Sequence, residues 1–325
     1  MTDVSHAILD RFQVRKTKKQ KSAFREFIFR ELSDAGYSPV VEKGPFAQNV
    51  VVGDPEQAEL LLTAHYDTQA VLPMPNFITP RNLFWYLLYQ LLLVGVMFLF
   101  SGVVEAAALL LFHPPMEAAI QIFGAALLFC CWWLIDGPAN KHTVNDNTSG
   151  VLTLMETALA LPAEDRSKAC FVFFDSEEKG MLGSSAFSRK HKQVKKDKLV
   201  VNFDCVSDGS SIQLFPSKRL KKDGAMMARL ENAFQSTADL QVEVVRGFGF
   251  YPSDNALFRV SAGVCALRTH KVFGWYLSRI HTWRDTVLDE QNITLLRDGA
   301  LRLLAADEAG RSSEKNLTQG EIKPC

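Results

Sequence analysis

Hydrophobic positions divide the chain into stretches of different character. Over residues 4–36 they recur at helical spacing, at Ile8, Phe12, Phe24, Phe27, Ile28 and Leu32, with Gly36 as a stop, which predicts a mostly helical segment. Short apolar runs at 49–52 and 60–66 follow as predicted strands, the second ending in His65-Tyr66-Asp67. Beyond residue 168 such runs return at 169–174, 199–203, 212–215, 242–245 and 264–267. Helical patterns lie near 149–161, 183–192, 224–235, 254–260 and 290–306. This alternation predicts an α/β fold: a mixed, largely parallel central sheet flanked by helices.

Between these parts the pattern changes abruptly. Leu83–Val104 contains no charged residue, Glu105 interrupts it, and Ala106–Phe112 carries the apolar run on to His113-Pro114-Pro115. A second run, Ala118–Ile135, includes Trp132 and Trp133, residues at home in a membrane interface. Each run is long enough to cross a hydrocarbon core, so the pair predicts a transmembrane hairpin; two buried helices capping a pocket are the alternative. Arg81 precedes the hairpin and Lys141 follows it, while its turn holds no Lys or Arg, which predicts cytoplasmic flanks. A hairpin returns the chain to its starting side. Residues 1–80 and 137–309 can therefore form one discontinuous domain, with 81–136 as an insertion into the lipid bilayer and 310–325 as a flexible polar tail.

The 36 basic and 36 acidic residues balance, and nothing in the chain calls for nucleic acid. The run Arg15–Lys21, RKTKKQK, reads as the solvated face of a first helix, with anionic lipid headgroups as a lesser partner. The six cysteines lack zinc-finger or CxxC spacing and read as small buried hydrophobes in a reducing compartment. The N-terminus has no basic region followed by an apolar core, so no cleaved secretion signal is expected.

The candidate chemistry centres on Cys170–Ser184, CFVFFDSEEKGMLGS, where a predicted buried strand runs into Asp175, Glu177 and Glu178. Burying carboxylates is costly without a positive partner, and a metal ion is a common one. Adjacent residues at a strand end point in different directions, so one glutamate can bind a metal while the other faces a water. The bland reading is that both simply begin a solvated helix. Other potential ligands also stand at strand ends or beside helices: His65 and Asp67, Asp146, Asp204 and His281. Singly, Asp146 could cap a helix, Asp204 could belong to a turn and His281 to an exposed loop.

As an ordered set these residues resemble the M28 family of zinc aminopeptidases, whose signatures look like HxD, (D/N)DN-x-SG, EE-x-G-x-x-GS, a strand-end Asp and HT-x-x-D(T/S). Here they stand as His65-Tyr66-Asp67, Asn145–Gly150, Glu177–Ser184, Asp204 and His281–Thr286. The resemblance implies a di-zinc exopeptidase acting on N-terminal residues of peptides, with cobalt or manganese as substitute metals. It further implies that Asp146 bridges two Zn2+ ions, with His65 and Asp204 completing one site and Glu178 and His281 the other. Glu177 would be the general base toward the attacking water. Asp67 would hold the His65 ring, and Asp285 would serve similarly near His281.

Two departures stand out. Many relatives carry Ser-Asp-His where this chain has Ser253-Asp254-Asn255, which leaves substrate handling around Asn255 open. The hairpin is inserted between the His65 and Asp146 motifs, so the catalytic opening is expected beside it or facing the bilayer, with hydrophobic or membrane-derived peptides as substrates. Phe248, Phe250, Tyr251, Phe273, Trp275 and Tyr276 could line an apolar substrate pocket or simply pack as core and interface. Three rivals remain: a cyclase resembling glutaminyl cyclases, which use a single zinc; a hydrolase of non-peptide amides; and a non-catalytic membrane receptor or scaffold on a peptidase fold.

Overall fold

The computed structural model describes residues 1–319, the side chains of 306–319 excepted. Among the described residues, nine strands form one sheet. They are β1 (Pro39–Lys43), β2 (Gln48–Val52), β3 (Leu60–His65), β4 (Ala169–Phe174), β5 (Leu199–Phe203), β6 (Ser211–Pro216), β7 (Gln241–Val244), β8 (Ser261–His270) and β9 (Gly274–Tyr276). Their order is β1-β2-β4-β3-β5-β8-β6-β7, with β9 paired to β8. The centre is parallel: β3 lies between β4 and β5, Leu60 opposite both Ala169 and Leu199, and β5 pairs in parallel with β8. The pairings β1–β2, β2–β4 and β6–β8 are antiparallel.

Central strands are apolar along their whole length because both faces are covered. Alternate residues Leu60, Leu62, Phe171, Phe173, Leu199 and Val201 pack against α1 (Asp3–Arg11), α2 (Lys18–Asp34) and α5 (Gly150–Ala160). The same layer continues into α8 (Gly224–Ala233) and α9 (Glu290–Gln319). The opposite set, Leu61, Val172, Phe174 and Val200, meets Phe187 and Val194 from α6 (Leu182–Lys190) and α7 (Lys192–Asp197). The result is the predicted α/β layering, with the sheet's central C-terminal ends left free for chemistry.

Several local expectations are corrected. The first helical segment is two helices, because Thr17 starts a new one with a capping box to Gln20. The basic run is only partly a solvated face: Lys18 and Lys19 are exposed, but Arg15 and Lys21 are 0% and 8% exposed. Lys21 turns inward to Asp175, with Nζ 2.5 Å from Oδ1, and Arg15 donates to the Tyr66 carbonyl and to Thr148 Oγ1. The helix expected at 254–260 is a single short turn, Asp254–Leu257. The helix α9 continues past the expected end at Ala306 into the segment read as tail; of that segment, residues 320–325 lie outside the described residues.

The inserted segment is a helical pair, α3 (Leu83–Phe112) and α4 (Met116–Asp136), and α3 runs straight through Glu105. Both are long and apolar enough to cross a membrane, and few of their side chains are buried within the protein. At their root, Trp85 packs on Phe273 and Tyr86 on Phe250, with ring centroids 5.1 and 5.5 Å apart. Phe250 and Phe273, from the aromatic cluster seen in the sequence, therefore seat the hairpin.

Candidate metal centre

Three strand ends and two loops converge. His65 ends β3, Asp204 follows β5, and Glu177 and Glu178 follow β4 by three and four residues. Asp146 lies in the 144–149 segment leading into α5, and His281 lies beyond β9. His65 Nε2 is 3.3 Å from Asp146 Oδ1 and 3.6 Å from Asp204 Oδ1. His281 Nε2 is 2.7 Å from Asp146 Oδ2 and 3.5 Å from Glu178 Oε2. The two oxygens of Asp146 thus face two different donor sets: His65, Asp146 and Asp204 in one, and Asp146, Glu178 and His281 in the other. Glu177 lies beside them, with a carboxylate oxygen within 4.8 Å of donor atoms of His65 and Glu178.

The surroundings hold these groups in place. Asp67 accepts from the backbone N–H of Glu177 at 2.9 Å and of Glu178 at 3.3 Å, while its Oδ1 lies 3.5 Å from His65 Nδ1. Asp285 accepts from the N–H groups of Asn145 (2.7 Å) and Asp146 (3.0 Å), so it shapes the Asp146 loop and not the His281 ring. Tyr251 donates to the Asp204 carbonyl at 3.1 Å and stacks on Phe215, bracing a strand end. Asn255 is buried against Gly263, leaving its Oδ1 without a partner. Tyr276 belongs to the aromatic seat with Phe77 and Phe273.

The electrostatics call for a cation. Burial and neighbouring carboxylates push Glu177 and Glu178 well above the ordinary range, and Glu178 Oε1 is buried without a hydrogen-bond partner. Burial disfavours charge on His65, but Asp146, Asp204 and Asp67 outweigh it and hold its imidazole well above its usual value. Clustered acids whose protonation is this distorted fit a site completed by a positive ion, and mixed imidazole and carboxylate donors fit zinc.

Two contributors were not legible in the sequence. Asn76 Nδ2 lies 3.1 Å from His281 Nδ1, and Arg15 bonds beside both Asp67 and Asp146 through Tyr66 and Thr148. Neither sits in a motif, and the basic run around Arg15 pointed the other way.

The Peptidase family M28 model matches residues 126–303, more than half of the chain. The chain belongs to peptidase family M28. No curated protein sequence matches it. Among solved structures, a glutaminyl cyclase of Porphyromonas gingivalis aligns with TM-score 0.59 and 14% identity, over 94% of this chain and 98% of that one. A Zn-dependent exopeptidase of Parabacteroides distasonis gives 0.56 and 15%, over 93% and 94%. The LapA aminopeptidase of Legionella pneumophila gives 0.53 and 16%, over 93% and 67%. At these identities the likeness establishes the shared fold, and the chemistry of this M28 chain rests on its own residues.

Proposed function

We propose that this M28 protein is a membrane-anchored, di-zinc aminopeptidase removing N-terminal residues from peptides. The observation that carries the reading is Asp146, whose Oδ1 faces His65 and whose Oδ2 faces His281. A carboxylate presenting one oxygen to each of two donor sets is what a pair of ions requires. His65 and Asp204 complete one set, Glu178 and His281 the other. Bound zinc would supply Lewis acidity, polarising the scissile carbonyl and acidifying the attacking water. Glu177 takes that water's proton on a carboxylate oxygen and passes it to the leaving amine nitrogen. Asp67, whose Oδ1 lies 3.5 Å from His65 Nδ1, is the group placed to take that proton, which would leave the Nε2 lone pair facing the site.

Hydrophobic or membrane-derived peptides are the proposed substrates, and a cytoplasmic catalytic domain is the proposed orientation, supported by Arg81 and Lys141 at the hairpin flanks. An apolar cavity of about 290 Å³ supports this substrate class. It lies between the hairpin helices and residues Leu72–Met74, and the Leu72 N–H donates to the His281 carbonyl at 2.7 Å. Cyclisation of N-terminal glutamine is a second reading, since the Porphyromonas gingivalis cyclase shares this fold over most of both chains.

Detergent-purified full chain, assayed on free-amine, N-blocked and N-glutaminyl peptides, tests these readings. The expected outcome is cleavage of free-amine substrates alone, with about two zinc ions bound as the proposal requires. Glu177→Gln should lower kcat by about 10²–10⁴-fold with metal content unchanged. Release of ammonia from glutaminyl peptides with one bound ion would replace this reading by the cyclase.

A further inference from the structure

Residues 70–76 cross the molecule as a strap between the β3 strand end and the hairpin. Both hairpin helices hold it. The Trp133 indole N–H donates to the Val71 carbonyl at 3.0 Å, and the Tyr89 hydroxyl donates to the Pro75 carbonyl at 2.6 Å. Just past α4, the Pro138 carbonyl accepts from the Val71 N–H at 2.8 Å. The strap in turn grips His281 at two points. The Leu72 N–H holds its carbonyl, and the Asn76 side chain meets its ring nitrogen Nδ1 at 3.1 Å. His281 needs such support, because its φ of 60° is a left-handed conformation that a non-glycine residue adopts at a cost.

We propose that Asn76 is the positioning residue for His281, and that the hairpin, through the strap, is a structural part of the metal centre. This rests on the reading of His281 as a metal ligand. The chemistry follows from the two ring nitrogens. Nε2 faces Asp146 and Glu178, so binding an ion there uses the Nε2 lone pair and leaves the proton on Nδ1. That proton needs an acceptor, and the Asn76 amide is the side chain within reach. Its oxygen can take the place of its nitrogen by a half-turn of the amide, an exchange of near-equal shapes. Asparagine can therefore donate to Nδ1 while Nε2–H faces Asp146, and accept from Nδ1 once Nε2 is committed to an ion. Alanine can do neither. Aspartate can only accept, so it favours the ion-binding tautomer.

Cobalt titration of the full chain in detergent, followed by visible absorption, tests this. Wild type is expected to take up two ions, and His281→Ala to lose the one bound through His281. Asn76→Ala should weaken that ion by about 10–100-fold and alter its visible bands, with the apo protein melting as wild type does. Asn76→Asp should restore both affinity and bands. Tyr89→Phe, which removes only the hydroxyl that holds the strap, should weaken the same ion and leave the other unchanged. If Asn76→Ala matched wild type while His281→Ala lost an ion, the positioning role would be overturned and the metal reading would stand. If His281→Ala kept both ions, the metal reading itself would fall. Unchanged affinity for the ion bound through His281 in Tyr89→Phe would overturn the part assigned to the hairpin.

Discussion

Arg15 shows how much a single buried side chain can hold together in this protein. Its guanidinium is fully enclosed, and burial lowers its pKa to about 10, still well above neutrality. It lies over the Phe24 ring at 5.1 Å and donates to the Tyr66 carbonyl, between His65 and Asp67, and to Thr148, two residues beyond Asp146. One cation thus ties together the two loops that present ligands to the same donor set, and adds positive charge behind Asp67 and Asp146. Methionine would fill much of the volume but remove both hydrogen bonds, leaving Thr148 Oγ1 only its contact with Thr143. Arg15→Met should cost about 1.5–3 kcal/mol, the scale of hydrogen bonds to a charged group. Thermal denaturation of the apo protein should show a lower Tm, and the mutant should lose metal at lower chelator concentration than wild type. An unchanged Tm together with unchanged metal retention would remove Arg15 from this role.

At the scale of elements, α1 depends on one carboxylate of α5. Burial disfavours the charged form of Glu156, but Ser5 Oγ at 2.5 Å and the Thr2 N–H and hydroxyl at 2.7 and 2.9 Å outweigh it and lower its pKa. Because the folded value is the lower one, this contribution to stability is complete above the unfolded glutamate pKa of about 4.3 and is lost as pH falls through the folded value. Tm should therefore fall more steeply below about pH 4.3 in wild type than in Glu156→Gln, and parallel curves would show that the lowered pKa has no effect on stability. Elements of this kind differ in how far they can be read from sequence. The central strands and the hairpin were legible because strands covered on both faces, and helices long and apolar enough to cross a membrane, are written as continuous apolar runs. The outer strands β1 and β9 escaped notice, since their half-exposed residues and the short length of β9 leave no such run. The proposed ligands were legible as motifs at strand ends and in the loops beside them. Asn76 was not, because its partner lies 205 residues away and nothing local marks a residue whose role is set by a distant contact.

For the whole molecule the question is how the catalytic body meets the bilayer. The 30 residues of α3 span about 45 Å at the helical rise, more than the ~30 Å of a hydrocarbon core, so α3 can cross with length to spare. The 21 residues of α4 span about 32 Å and just suffice. Trp85, Tyr86 and Tyr89 near the start of α3, and Trp132 and Trp133 near the end of α4, mark the end closest to the folded body as the one at an interface. The opposite end turns at His113-Pro114-Pro115, followed by Glu117, and on the proposed spanning arrangement it belongs at the far interface. Epitopes placed at the N-terminus and in the 113–115 turn should then be accessible from opposite sides of sealed vesicles. The body should resist carbonate extraction from them. If both epitopes were accessible from one side, the hairpin would lie along the surface. The strap and His281 would then sit beside headgroups instead of at the foot of a spanning pair, and delivery of substrate from within the bilayer would lose its physical basis.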